Sequence, residues 1–375
     1  MDLSRLPEPT SQIAQERVAP GLPSRNFLVA VAVLATLFLV VALWLSRFPA
    51  NHVLPAESGA APLPGSFTYP IGLHPARIVS AVFGAAAVAA TCLVARRLLH
   101  NDTAALLAGG LVALDPALLA VSRLALPDTL ALASLLAALA CFLAIPVSIH
   151  WLGAGLLAFA ALAEPRTLLW SLPLLWMVLM RGHIYAAPRH LTLAALQTVA
   201  APLLGVLLHL LTNGGIVGLP CRVPIQSSLA LTSSIGYGGV VAIHNPITWF
   251  GGLGAILLLG GTALAIVARQ FRIARLPGRV QMRLADPLPG THARILWLLL
   301  LAVLAPFPMV WLPLFAIALA SGISLLAEDA PGFGAVVALV TLLFGVLGLL
   351  RVWGLVSGTG GQVTSLVPWS HVIGC

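Results

Sequence analysis

Several ionisable residues stand where ionisation is costly. Residues 113–130 read ALDPALLAVSRLALPDTL, with Asp115, Arg123 and Asp128 set in an otherwise apolar stretch. An ionisable side chain at membrane depth costs about 2.5–3.5 kcal/mol on insertion scales and marks a functional site by default. Arg carries a planar fork of donors that matches a phosphate, and a carboxylate beside it can orient that group or an incoming hydroxyl. Arg123 and Asp128 flank one turn, so a simple ion pair closing that turn is the competing reading. Were 113–123 one continuous helix, Asp115 and Arg123 would share a face about 12 Å apart. Residues 161–170, ALAEPRTLLW, repeat the theme: Glu164 and Arg166 bracket Pro165 and form either a second phosphate contact or a local interfacial pair. Glu57, His74 and Arg222 lie in stretches between apolar runs.

The elements that must hold these residues are membrane helices. The 375 residues are 60% hydrophobic and 8% charged, whereas soluble domains are about 25% charged. That excludes a soluble binding module and a nucleic-acid-binding domain. Apolar runs lie near 27–46, 77–95, 104–122, 128–148, 151–163, 166–180, 191–211, 246–268, 294–305, 308–326 and 333–355. The expectation is an all-α polytopic membrane protein of about eleven transmembrane helices, spanning 27–355. The first run is too long for a signal-peptide core, so residues 1–26 are expected in the cytoplasm.

Net charge is +8, and all 19 basic residues are Arg. On the eleven-span path, 13 of them fall inside: Arg5, Arg17, Arg25, Arg96, Arg97, Arg181, Arg189, Arg269, Arg272, Arg275, Arg279, Arg283 and Arg294. This is the positive-inside bias of an inner (plasma) membrane protein, with basic loops meeting anionic lipid heads. The stretch 269–294 reads as an inner loop that anchors topology. Outer loops are expected at 47–76 and 212–245, with an external tail at 356–375. Asp115, Arg123, Asp128, Glu164, Arg166, Glu57, His74 and Arg222 then all face one side. Trp44, Trp151, Trp170, Trp249, Trp297 and Trp353 near run ends read as interfacial anchors. Cys92 and Cys141 read as small core residues, and Cys221 and Cys375 leave pairing open. No metal-ligand spacing or nucleophile motif is present.

Residues 73–130 carry His74-Pro75, Arg77, Arg96-Arg97, Asp115, Ser122-Arg123 and Asp128 in order, and 241–253 read VAIHNPITWFGGL, with Asn245, Pro246 and Trp249. This resembles the protein O-mannosyltransferases, within the GT-C class of multi-span glycosyltransferases that use polyprenyl-phosphate sugars. The resemblance implies transfer of a sugar, commonly mannose, from a polyprenyl-phosphate donor to an acceptor hydroxyl, typically on an exported protein, at the outer membrane face. The lipid-linked sugar is then a substrate, and no cofactor is implied. Glu57 and Asp128 would be catalytic. Arg123, Arg166 and Arg222 would bind the donor phosphate, with His74, Asp115, Glu164 and Asn245 in support. The family carries an acidic pair after the first span and a Lys after the fifth; here Glu57 stands alone in 47–76 and Glu164-Pro165-Arg166 replaces the Lys. The alternative is an inactive GT-C-like subunit of a larger membrane assembly.

Overall fold

The computed structural model describes residues 23–46, 73–123, 128–144, 147–180, 188–212, 271–276, 279–284, 310–329 and 331–357. Within them the chain is helical apart from one small hairpin. Helix α1 is Arg25–Leu45, started by Ser24, whose hydroxyl accepts the Phe27 amide at 3.1 Å. Such a cap satisfies one of the amides that a helix start leaves orphaned. One stripe of α1 (Phe27, Val31, Phe38, Ala42, Leu45) is buried, while Leu28, Val33, Leu37 and Val40 are exposed. An apolar helix that leaves large aliphatics uncovered is facing lipid.

Helix α2, Leu73–Leu99, is the hub. It packs against α1, against α3 (Asp102–Ala113), against α4 (Pro116–Ser122) and against α5 (Asp128–Phe142). Small residues permit these approaches. Cys92 lies directly against Gly109 of α3, and Ser122 of α4 against Gly84 of α2, so neither glycine has room for a side chain. Cys92 and Cys141 are buried, as core residues should be. His100 takes a left-handed backbone (φ 55°) between α2 and α3, which lets the chain reverse over two residues.

A second group follows. Helix α6 (His150–Ala163) lies on α5, then a 3-10 turn (Pro165–Trp170) leads into α7 (Ser171–Met180), and α8 (Pro188–Thr212) covers α6 and α7. Gly205 of α8 sits on the Ala158 carbonyl of α6, an approach only a glycine allows. Helices α9 (Trp311–Asp329) and α10 (Pro331–Ser357) form a pair, with α9 on α3 and α10 on α3 and α4. The Asn101 amide donates to the Ser324 hydroxyl at 3.2 Å, so the C-terminal part of α9 lies beside the α2–α3 turn.

Among the described residues, Arg25–Ser46, Pro75–Leu99 and Arg189–Leu211 are long and apolar enough to cross a membrane, and six shorter apolar helices accompany them. The runs 246–268 and 294–305, the loop residues 47–72 and 213–245 and the tail beyond 357 lie outside the described residues, while residues 73–76, expected in the first outer loop, are the opening turn of α2. Two further expectations change. The run 104–122 is two helices, broken at Leu114 and Asp115. Part of the loop 269–294 is an antiparallel hairpin, β1 (Phe271–Leu276) with β2 (Arg279–Leu284). Of the Trp residues, Trp44 and Trp151 are exposed near helix ends, but Trp170 is 2% exposed and belongs to the core.

A buried charged layer at one end of the bundle

The break between α3 and α4 follows from Asp115-Pro116. The Asp115 carboxylate accepts the Leu118 amide at 3.1 Å, and its carbonyl accepts the Leu119 amide at 3.0 Å. Asp before Pro is a favoured helix start, because Pro has no amide to leave orphaned and Asp caps a later one. Asp115 is thus the N-cap of α4, and 113–123 is not one continuous helix, because it breaks at Leu114 and Asp115. Asp115 stands at one end of α4, and Arg123 follows its other end, about 12 Å away along the axis.

Ser80 ties the remaining parts together. Its hydroxyl lies 2.9 Å from the Thr129 hydroxyl of α5 and 3.4 Å from the Val121 carbonyl of α4. Arg77 is three residues before Ser80 and therefore on the same face of α2. Asp128 precedes Thr129, and Arg123 lies two residues past Val121. Three helices thus bring Arg77, Arg123 and Asp128 to one level. Relative exposures are 1% for Arg77, 0% for Asp115, 0% for Arg123 and 7% for Asp128; Ser80, Ser122 and Thr129 are buried with them. Each of the four charged side chains takes part in an interaction. Charges this deep are retained only when paired or solvated by polar groups, since burying an isolated ion is prohibitive. The layer is hydroxyl-rich, and the Ser122 hydroxyl itself has no hydrogen-bond partner among the described residues.

Helix α6 runs antiparallel to α5: His150 stacks near Phe142, with ring centroids 5.4 Å apart, and Gly153 lies against Cys141. The C-terminal end of α6 therefore returns to the end where α5 begins. Glu164 terminates α6 there, half-buried, and its carbonyl accepts the Thr167 hydroxyl at 2.8 Å. Arg166 follows in the 3-10 turn and His74 in the first turn of α2, but both side chains lie outside the described set. Glu57, Arg222 and Asn245 lie outside the described residues altogether. Arg77, to which the sequence motifs assign no separate role, joins the layer as a further buried cation. Its signal was an Arg in the opening turn of an apolar run, with Ser80 one turn on.

Beside the layer runs an apolar groove of about 830 Å³ between α1, α3, α9 and α10. Ligand cavities span roughly 300–1,000 Å³, so this one is large. Its walls include Leu34, Leu107, Leu119 and Leu342, and Asn101, Thr103 and Ser324 are its few polar lining residues, at one end. Phe38 connects groove and layer: it lines the groove and also lies against Gly84, where Ser122 makes contact. Among the described residues no group of three His, Cys, Asp or Glu could hold a metal ion.

Lipid-facing helices around a buried polar layer define a multi-pass helical membrane protein. Residues 24–164 match the family described as dolichyl-phosphate-mannose-protein mannosyltransferase, and this part of the chain carries that family's domain. The match runs from the α1 cap to Glu164 and so includes Arg77, Asp115, Arg123, Asp128 and Glu164. No curated protein and no solved structure matches the chain.

Proposed function

We propose that this protein is a membrane glycosyltransferase that moves a sugar, mannose by the family's chemistry, from a polyprenyl- or dolichyl-phosphate donor to an acceptor hydroxyl on an exported protein. The reaction takes place at the outer face of an inner (plasma) membrane crossed about eleven times. The observation that carries this reading is the burial of Arg123 and Asp128 in one layer within the matched region. The prenyl chain lies in the apolar groove. The sugar–phosphate bond breaks as the acceptor oxygen bonds the anomeric carbon from the opposite face, with inversion. The departing phosphate takes the electron pair, and Arg123 stabilises that anion where water is excluded. A carboxylate, Glu57 from the outer loop or Asp128, takes the acceptor proton. Arg166 and Arg222 hold the phosphate further, and His74, Asp115, Glu164 and Asn245 support the site; Asp115 does so by starting the helix that leads to Arg123.

The test is transfer of labelled mannose from the polyprenyl-phosphate donor to a Ser/Thr peptide in reconstituted membranes. Arg123→Ala and Asp128→Asn each reduce it by about 10²–10³-fold, the usual cost of one charge-stabilising group. Full transfer by both inserted variants overturns the assignment. One observation favours the second reading, an inactive accessory subunit: residues 47–76 hold a single acid, Glu57. On that reading the purified wild type shows no transfer, Glu57→Gln changes nothing, and purification brings stoichiometric membrane partners.

A further inference from the structure

Ser122 stands where the charged layer meets the apolar groove, and the transfer chemistry does not use its hydroxyl. Gly84 lies one turn further along α2 than Ser80 and on the same face, about 6 Å along the axis. Ser80 meets the Val121 carbonyl, and Gly84 meets the next side chain, Ser122. A Cβ at Gly84 would strike the Ser122 hydroxyl and lie 2.9 Å from the Phe38 ring, so hydroxyl and ring sit side by side against bare backbone. Phe38 also lines the groove. Arg123, a buried guanidinium of the layer, follows Ser122 directly. Hydroxyls in apolar helices ordinarily return to a carbonyl three or four residues back. Thr91 donates in this way to the Ala87 carbonyl at 2.8 Å and Thr341 to the Val337 carbonyl at 2.7 Å, while Ser80 pairs with Thr129. Ser122 is wholly buried, and its hydroxyl has no partner among the described residues. An unpaired buried hydroxyl costs stability, so its retention calls for a reason.

We propose that Ser122 is a donor-binding residue, whose hydroxyl donates a hydrogen bond to a phosphate oxygen of the polyprenyl-phosphate donor while Arg123 holds the charge. This rests on the donor reading under the proposed function, but not on turnover. Phosphate is the group that fits: the donor's chain lies in the groove, its anion lies at Arg123, and Ser122 stands between the two. A hydroxyl donating to an anion makes one of the stronger hydrogen bonds.

The experiment is thermal unfolding of the full chain in detergent, titrated with polyprenyl phosphate or with polyprenol, the same chain without the phosphate. A ligand that binds the folded state raises the midpoint with concentration, and the rise gives an apparent affinity. Ser122→Ala binds polyprenyl phosphate about tenfold more weakly than wild type and treats polyprenol as wild type does. Its midpoint without ligand is no lower than that of wild type, because the change removes an unpaired polar group. Thr91→Ala, which deletes a buried hydroxyl bonded within α2, keeps the wild-type affinity for polyprenyl phosphate. Equal affinity of wild type and Ser122→Ala for polyprenyl phosphate overturns the assignment of Ser122 alone. An equal loss with polyprenol overturns it too, by placing the hydroxyl against the chain, and so does a lowered midpoint without ligand, which reveals a protein partner. A wild type that polyprenyl phosphate does not stabilise overturns the donor reading along with it.

Discussion

The two ends of the α2–α3–α5 bundle handle charge in opposite ways. At one end Arg96 meets Asp102 at 2.6 Å, six residues apart, with side-chain exposures of 16% and 40%. Asp102 also accepts the Ser24 hydroxyl at 3.1 Å, Arg96 lies 5.3 Å above the Phe27 ring, and Arg97 donates to the Ala140 carbonyl. Only Arg96–Asp102 is local, and the other contacts join α1, α2, α3 and α5, but the two charged partners stay partly exposed and do structural work at a turn. At the other end Arg77, Arg123 and Asp128 come from three separate elements and are all but inaccessible. Partial exposure lets an ion pair form at little cost. Full burial imposes a penalty that stability alone does not require, which is why the second end reads as a site.

Substitutions that separate the two ends sharpen this contrast. The largest effect belongs to guanidinium removal: Arg123→Ala lowers mannose transfer by about 10²-fold or more, while Arg96→Ala leaves it within a few-fold, measured in the same membranes. Equal losses at both ends would erase the distinction. Next comes packing. Gly205→Leu forces a side chain into the Ala158 carbonyl and destabilises by about 1–3 kcal/mol, whereas a Cβ at Gly155 meets nothing within 4 Å among the described residues, so Gly155→Leu causes no loss in the same thermal-unfolding assay in detergent. A smaller effect attends the cap. Asp115→Ala costs about 1 kcal/mol of thermal stability, and Asp115→Asn, which keeps an acceptor, costs a few tenths. A large activity loss in the Asn variant at unchanged stability would promote Asp115 from cap to site.

What the sequence made legible follows from the solvent these helices need. Hydropathy marks where α1, α2, α6 and α8 run, because each must present apolar surface to lipid. It did not mark the α3–α4 break, although Asp115-Pro116 is a helix-start signal; an average over twenty residues does not register a cap. The hairpin was missed for a related reason. Residues 271–284 alternate with period two around Pro277-Gly278, but counting Arg hid the alternation. Cross-helix pairs such as Ser80–Thr129 and Asn101–Ser324 were beyond reach. Helices that are apolar all round do not declare which face meets which neighbour. The charged residues of the site were legible as types, because in an apolar run an Arg or Asp stands out. Their common level was not, since it depends on those unreadable faces.

The salt dependence of a partly exposed charge gives the finest measure of the contrast. Asp102→Asn removes one partner of the Arg96 pair and a negative charge from the first turn of α3. An acid there interacts favourably with the helix N-terminus, by about 0.3–1 kcal/mol at low salt. The pair itself is partly exposed, so it contributes at most about 1 kcal/mol after screening. The cap of α3 survives, because Asn101, not Asp102, accepts the Ala104 amide at 3.1 Å. Asp102→Asn should therefore lower unfolding stability by about 1 kcal/mol or less, and the difference from wild type should shrink as salt is raised. Asp128→Asn, 7% exposed, should show a stability change that salt hardly alters, because screening does not reach a buried charge. Measuring both variants across a salt series tests the contrast directly: parallel salt dependence would mean that the two ends share one environment.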